Sequence, residues 1–280
     1  MTETTSANPE LLADQVSSIL VQPLEAASIV LSSGVRVFDT SAQLRVPKLA
    51  SGATVGFVAE GAQIPDTGDV GFDELVLMPS TRTSLKIILR YTRELVRQSV
   101  IGIDSVLKQR LVTDVSNALD TALLSGTGAA NSITGILAQV GTQPVVWDKA
   151  LPDTMLDAID LAYAAEVTPN RWFINGSDWI ELRKLKEATG SNKYLFEGDI
   201  HAGETLRLFG IPVTVSNKVP AGKFILADTS QIAVARDVAP SVTVLNERYA
   251  EFDEVGLRVT ARYDLGLLHP EAVIIGTDAP

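Results

Sequence analysis

The stretch 53–124 constrains this chain more than any other. Phe57-Val58-Ala59-Glu60-Gly61 reads as strand and runs into a Gly/Asp/Pro-rich crest from Ala62 to Gly71. Phe72-Asp73-Glu74-Leu75-Val76-Leu77 reads as the returning strand. A second β-prone run, Thr83–Tyr91, follows, and Thr92-Arg93-Glu94-Leu95 opens a long amphipathic helix. The crest has strong turn chemistry and little to bury. A long two-stranded arm feeding a long helix is poorly suited to a compact active site and well suited to reaching a neighbouring molecule.

Composition narrows the chemistry. The 280 residues contain no cysteine, which excludes thiol catalysis, Cys-ligated zinc and a disulfide framework. Only two histidines are present, His201 and His269, so a His-rich metal site is excluded. The net charge of −11 disfavours the chain-wide basic field of a nucleic-acid binder, and no dense Lys/Arg run appears. A 46% apolar content is ample for a core at this length. The N-terminus lacks a basic region followed by an apolar core, and no run of about 18 apolar residues is found. Neither a signal peptide nor a membrane span is expected, and the chain reads as cytoplasmic when made.

Along the chain, Leu11, Leu12, Val16, Ile19 and Leu20 recur at helical spacing until Pro23. Val35–Phe38 and Leu44–Val46 alternate as strands, the second ended by Pro47. From Ile103, residues Val106, Leu107, Leu111, Val115, Ala118, Leu119, Ala122 and Leu123 form one helical stripe, closed by Gly126-Thr127-Gly128. Some 22 residues make a rod of roughly 33 Å. The middle of the chain alternates. Pro152–Ala165 reads as helix, Arg171–Ile174 as strand, Ser177–Ala188 as helix capped by Ser177 or Asp178, and Phe209–Val215 and Phe224–Asp228 as strands. Gln231–Ala235, Ser241–Leu245, Leu257–Tyr263 and Ala272–Ile275 return to β. The fold class is α+β, with the middle section inserted between parts that pair with each other.

Catalytic constellations are missing from this pattern. Gly126-Thr127-Gly128-Ala129-Ala130-Asn131 breaks a dinucleotide fingerprint, Gly222-Lys223 lacks the upstream glycine of a P-loop, and no G-x-S-x-G or H-E-x-x-H occurs. Asp66, Asp69, Asp73 and Glu74 read as a solvated turn, because Gly68 and Val70 stand where a calcium loop needs oxygen ligands. His201 and His269 read as structural or exposed. Trp147, Trp172 and Trp179 read as core or interface anchors. Asn175-Gly176-Ser177 matches a glycosylation sequon but reads as the turn and cap of the next helix. Lys48 reads as a solvated strand end. No catalytic, cofactor-binding or metal site is expected.

Four places, in order, resemble the major capsid proteins of tailed bacteriophages with the HK97 fold. They are Phe57–Gly61 with Phe72–Leu77; Thr92–Ser99 with Leu124–Gly128 and Thr134–Leu137; Phe209–Val213 with Val219-Pro220 and Ala227-Asp228; and Arg262-Tyr263-Asp264 to His269–Val273. The similarity runs from about Glu10 to Thr277. It implies an N-terminal arm at 1–33, an extended E-loop at about 45–88, a P-domain of 34–129 and 236–280 carrying the long spine helix, and an A-domain at 130–235. It implies a structural, non-enzymatic subunit of an icosahedral head, self-associating into pentamers and hexamers around double-stranded DNA. Phe57, Glu60, Ile64, Asp66 and Asp69 would then contact the adjacent subunit. No sequence-specific nucleic-acid binding follows from it. An encapsulin-like bacterial nanocompartment shell is the alternative, and an α/β enzyme built on the middle section a more distant one.

Two departures from the family pattern carry expectations of their own. Some capsids of this fold join Lys to Asn with the help of Glu. The corresponding positions here are Asp253 and Thr260, so Lys48 lacks partners and no autocatalytic crosslink is expected. Self-scaffolding members carry about a hundred further residues before the arm, so a separate scaffolding protein, or prior processing, is expected, with a portal and a cement protein as further partners. The resemblance places the mature protein in the virion, after assembly in the host cytoplasm.

Overall fold

A computed structural model describes residues 28–51, 57–59, 61, 71–94, 103–188, 191–196, 206–237, 241–245 and 247–278. The helix expected from Glu10, the crest residues 62–70, and His201 lie outside the described residues.

Strands β1 (Arg36–Asp39), β2 (Leu44–Ser51), β3 (Gly71–Leu77) and β4 (Leu85–Thr92) precede helix α1 (Ile103–Ser125). The middle section contributes β5 (Gln143–Trp147), α2 (Asp153–Ala164), β6 (Arg171–Ile174), α3 (Gly176–Arg183), β7 (Arg207–Leu208), β8 (Ile211–Val215) and β9 (Lys223–Ala227). The chain continues with β10 (Ile232–Arg236), β11 (Ser241–Leu245), β12 (Glu254–Ala261), β13 (Tyr263–Leu267) and β14 (Val273–Asp278). Among these, β2 and β3 form an antiparallel ribbon, β1–β10–β13 and β11–β12–β4 are three-stranded sheets, and β5–β14–β9–β6–β8–β7 is a six-stranded sheet.

Helix α1 connects two cores. Its Leu111 and Val115 meet Leu257 and Val259 of β12, with Leu85, Ile87 and Leu89 of β4 beside them. One to two turns further on, Leu119, Leu123 and Leu124 enter a larger core with Val234, Leu265, Phe173 and Ile225. The i, i+4 spacing of Leu111, Val115, Leu119 and Leu123 keeps one face inward along the rod. Ala118, expected on that stripe, is exposed, and Ser116 and Asp120 are buried instead.

Strand β9 explains its own continuous apolar run. Phe224 and Leu226 face a core with Trp147, Trp172 and Met155, whereas Ile225 and Ala227 face the α1 core. A strand covered on both faces cannot alternate with polar residues. Phe224 meets Trp147 and Trp172 edge-on, at centroid distances of 5.1 and 5.2 Å. Its ring lies over Gly276 of β14, within 2.0 Å of where a Cβ would stand.

Several expectations need correction. Pro47 does not end β2, which runs on to Ser51. Each strand of a two-stranded ribbon has an unbonded side, so the missing N–H of proline is tolerated there. The expected strand Leu257–Tyr263 divides at Arg262 into β12 and β13, which join different sheets. Helix α3 stops at Arg183 rather than Ala188, because residues 185–187 bond residues 193–195: Leu195 N donates to Leu185 O at 2.8 Å and Glu187 N to Lys193 O at 3.1 Å. Its cap is Asn175, whose Oδ1 accepts from Ser177 N at 3.0 Å while its Nδ2 donates to Val219 O at 2.6 Å. Strands β5 and β7 were not foreseen. Phe209-Gly210, both at positive φ, close the tight β7–β8 hairpin.

Candidate subunit-assembly surface

The β2–β3 ribbon is fixed at its root and unsupported along its shaft. At the root, Leu77 and Met78 are buried with Ala233 and Ala235 of β10. Gly266 of β13 leaves room for Leu75 and Leu77, each 2.8 Å from the place of its absent Cβ. Met78 takes φ 55, a left-handed conformation uncommon for a side chain of its size. Its N–H donates to Asp264 Oδ2 at 2.8 Å. Asp264, with a side chain 1% exposed, also accepts from Leu265 N at 2.9 Å and pairs with Arg82 at 2.9 Å. Arg82 further donates to the Ser132 carbonyl. Arg262 pairs with Asp237 at 2.8 Å and donates to the carbonyls of Pro79 and Ser80 at 3.2 and 3.3 Å. The chain's turn out of the arm is therefore held by a carboxylate and two guanidinium groups.

Along the shaft, cross-strand ion pairs replace a core. Arg45 meets Glu74 at 3.1 Å and Lys48 meets Asp73 at 2.9 Å. Lys48 is thus engaged within its own ribbon rather than standing at a solvated strand end. Its ammonium, and then the Glu74 N–H, hold the Asp73 carboxyl below its usual value. Of the residues singled out for contact with a neighbour, Phe57 is fully exposed. Glu60, Ile64, Asp66 and Asp69 lie outside the described residues. Asp253 pairs with Arg93 at 3.7 Å, and Thr260 sits in β12 opposite Lys86 and Ser241.

Two further anchors position segments around this frame. Asp120 of α1 accepts from Ser28 Oγ at 2.6 Å, Ile29 N at 3.0 Å and Val30 N at 3.3 Å, tying residues 28–30 to the helix. At one end of the six-stranded sheet, Lys149 meets Asp178 at 2.8 Å and both Glu181 and Asp278 at 3.2 Å. Asp178 foremost, then Asp278 and Glu181, push the lysine above its ordinary 10.5, against the opposing effect of burial. Among the described residues no group of three or more His, Cys, Asp or Glu is arranged to hold a metal. His269 is half-buried at the entry to a short 3₁₀ turn.

Asp264, Arg82 and Asp120 escaped the sequence reading. Asp264 interrupts the apolar run Tyr263–Leu268, and Asp120 adjoins Leu119 on the helix stripe. A carboxylate within a buried pattern signals a polar anchor, since burial demands a partner.

The frame defined by these elements, a long ribbon arm, a spine helix on a three-stranded sheet, and a middle six-stranded sheet, is the HK97-type capsid fold. Solved structures support it. The "Capsid of native GTA particle computed with C5 symmetry" matches with a TM-score of 0.74 at 20% identity, covering 91% of this chain and 90% of that one. The Microbacterium phage Oxtober96 structure matches with a TM-score of 0.73 at 18% identity, covering 90% and 91%. The model of the phage capsid family matches residues 10–278, and the chain belongs to that family. It is 23% identical to the major capsid protein of Klebsiella oxytoca phage phiKO2 over 96% of its own length, and 25% identical to that of Halomonas phage phiHAP-1 over 82%. The chain spans 65% and 37% of the lengths of these two curated relatives.

Proposed function

We propose that the protein is a structural subunit of a tailed-phage head, self-associating into pentamers and hexamers that enclose double-stranded DNA. The observation that carries this reading is the ribbon arm, anchored by Asp264 at its root and covered by nothing of its own chain along its shaft. An arm so built gains its order from a neighbour, and many such modest contacts hold a closed shell by multivalency. The family relationship favours the phage head over an encapsulin-like compartment. The subunit's role is mechanical rather than catalytic, and its place is the virion, after assembly in the host cytoplasm.

Within this reading residues 1–33 form the N-terminal arm, about 45–88 the E-loop, 34–129 with 236–280 the P-domain, and 130–235 the A-domain. Strand β14, though late in the chain, pairs with β5 and β9 of the middle sheet, so the two larger units share a seam. A separate scaffolding protein, a portal and a cement protein are the partners of such a subunit. Shell contacts stay non-covalent, because Lys48 faces Asp73 and Asp253 stands where a crosslink acceptor would be Asn. Size-exclusion chromatography with electron microscopy tests the assembly, and a chain that stays monomeric under all conditions overturns it. Particles boiled in denaturant should run as single chains; ladders of dimers and higher multiples would refute the non-covalent shell.

A further inference from the structure

The β4–β12 sheet has two unlike faces. Leu85, Ile87 and Leu89 point to α1, and the alternate residues Lys86, Ile88 and Arg90 are exposed. The register sets Thr260 beside Lys86, Arg258 beside Ile88 and Gly256 beside Arg90, so Arg258 joins the same outer face. Tyr249 lies flat over Gly256, its ring 2.7 Å from where a Cβ would stand. The guanidinium of Arg90 sits 5.4 Å and that of Arg248 5.9 Å from the centre of that ring. Arg258 reaches only the Thr243 hydroxyl, at 3.5 Å. Glu254 stands at the end of the row, beside Thr92. Among the described residues none of Lys86, Arg90, Arg248 or Arg258 has a carboxylate at ion-pair distance. A chain of net charge −11 thus carries a basic face with an exposed isoleucine at its middle.

The arm has the complementary character. Between Lys48 and Arg82 the sequence holds five carboxylates, Glu60, Asp66, Asp69, Asp73 and Glu74, and no Lys or Arg. Asp73 and Glu74 are matched by Lys48 and Arg45 of the same ribbon. No base in this stretch matches the other three, and Phe57 adds an exposed aromatic ring. We propose that the outer face of the β4–β12 sheet receives the acidic arm of a second copy of this chain, with Lys86, Arg90 and Arg258 meeting Glu60, Asp66 and Asp69. This rests on the shell-subunit reading and names the surface that the arm grips. From Lys86 to Arg90 the patch is about 13 Å long, the scale of one peptide strand rather than of a DNA groove. Its apolar centre fits a Phe-bearing arm better than a phosphate backbone, and the overall negative charge repels DNA. Opposite potentials on the two surfaces favour encounter in one orientation and penalise others.

Charge reversal tests the pairing in the full chain at low ionic strength. Lys86→Glu/Arg90→Glu/Arg258→Glu should raise the protein concentration needed for assembly by about tenfold or more, with circular dichroism and melting temperature unchanged. Glu60→Lys/Asp66→Lys/Asp69→Lys should show the same defect. Mixing the two reversed chains should restore co-assembly, because each then offers what the other lacks. The milder Lys86→Gln/Arg258→Gln pair should give a smaller rise, and serves if the triple variant unfolds. Assembly indifferent to reversal, or no rescue on mixing, overturns the docking while leaving the shell reading intact. A triple variant that assembles normally but no longer retains short double-stranded DNA reassigns the face to the genome and also overturns it. A wild-type chain that never assembles overturns the shell reading itself.

Discussion

At the scale of single residues, buried charge is confined to places where geometry is being enforced. Asp264 gathers Arg82 and the Met78 N–H at the point where the arm meets the body. Replacing Asp264 with Asn leaves Arg82 largely enclosed with no counter-charge, and should lower unfolding free energy by about 3–5 kcal/mol in a denaturant titration. Lys149 answers to pH. Its folded-state value lies above the unfolded one, so its contribution is fully present below about 10.5 and is lost as pH rises toward the raised value. The melting-temperature advantage of the wild type over Lys149→Met should therefore be constant from pH 7 to 9 and shrink beyond pH 10.5. An advantage that grows in alkali would contradict this assignment. Tyr263, pushed up to about 12 by burial, loses stability over the same alkaline range, so the comparison must be made between the two chains and not from one curve.

Among elements, the strands that carry both cores tolerate the least change. Gly276 of β14 sits under the Phe224 ring, which Trp147 and Trp172 hold in place. Gly276→Ala should cost about 1–3 kcal/mol through overpacking, readable as a lower denaturation midpoint with an unchanged slope. Elements with one strong period were readable in advance: α1 from its i, i+4 leucines, β4 from its alternation, β9 from its unbroken apolar run. What resisted reading was set by distant partners. Asn175 caps α3 with the help of Val219, and β12 parts from β13 because Arg262 answers Asp237 and the Pro79 carbonyl. No local window contains those residues together. The arm was legible as an unburied hairpin, but its acid-matched root was not, since Asp264 lies 186 positions from Met78.

For the whole molecule, the arm, the spine helix and the middle sheet make a body whose largest unsatisfied surfaces point outward, as an assembling subunit requires. The functional reading from sequence came from the order of these parts rather than from any one motif, because shell building needs shape and surface rather than a reactive centre. That also explains why the contact residues were the hardest to name: their partners belong to another copy. Strand β9 has one more consequence. It is a party wall, with Ile225 and Ala227 on one side and Phe224 and Leu226 on the other. Neither room can be emptied without stripping the wall of the second. Heating the dissociated subunit should therefore give a single endotherm whose calorimetric and van't Hoff enthalpies agree. Two resolved peaks would mean that the wall is thinner than its packing indicates.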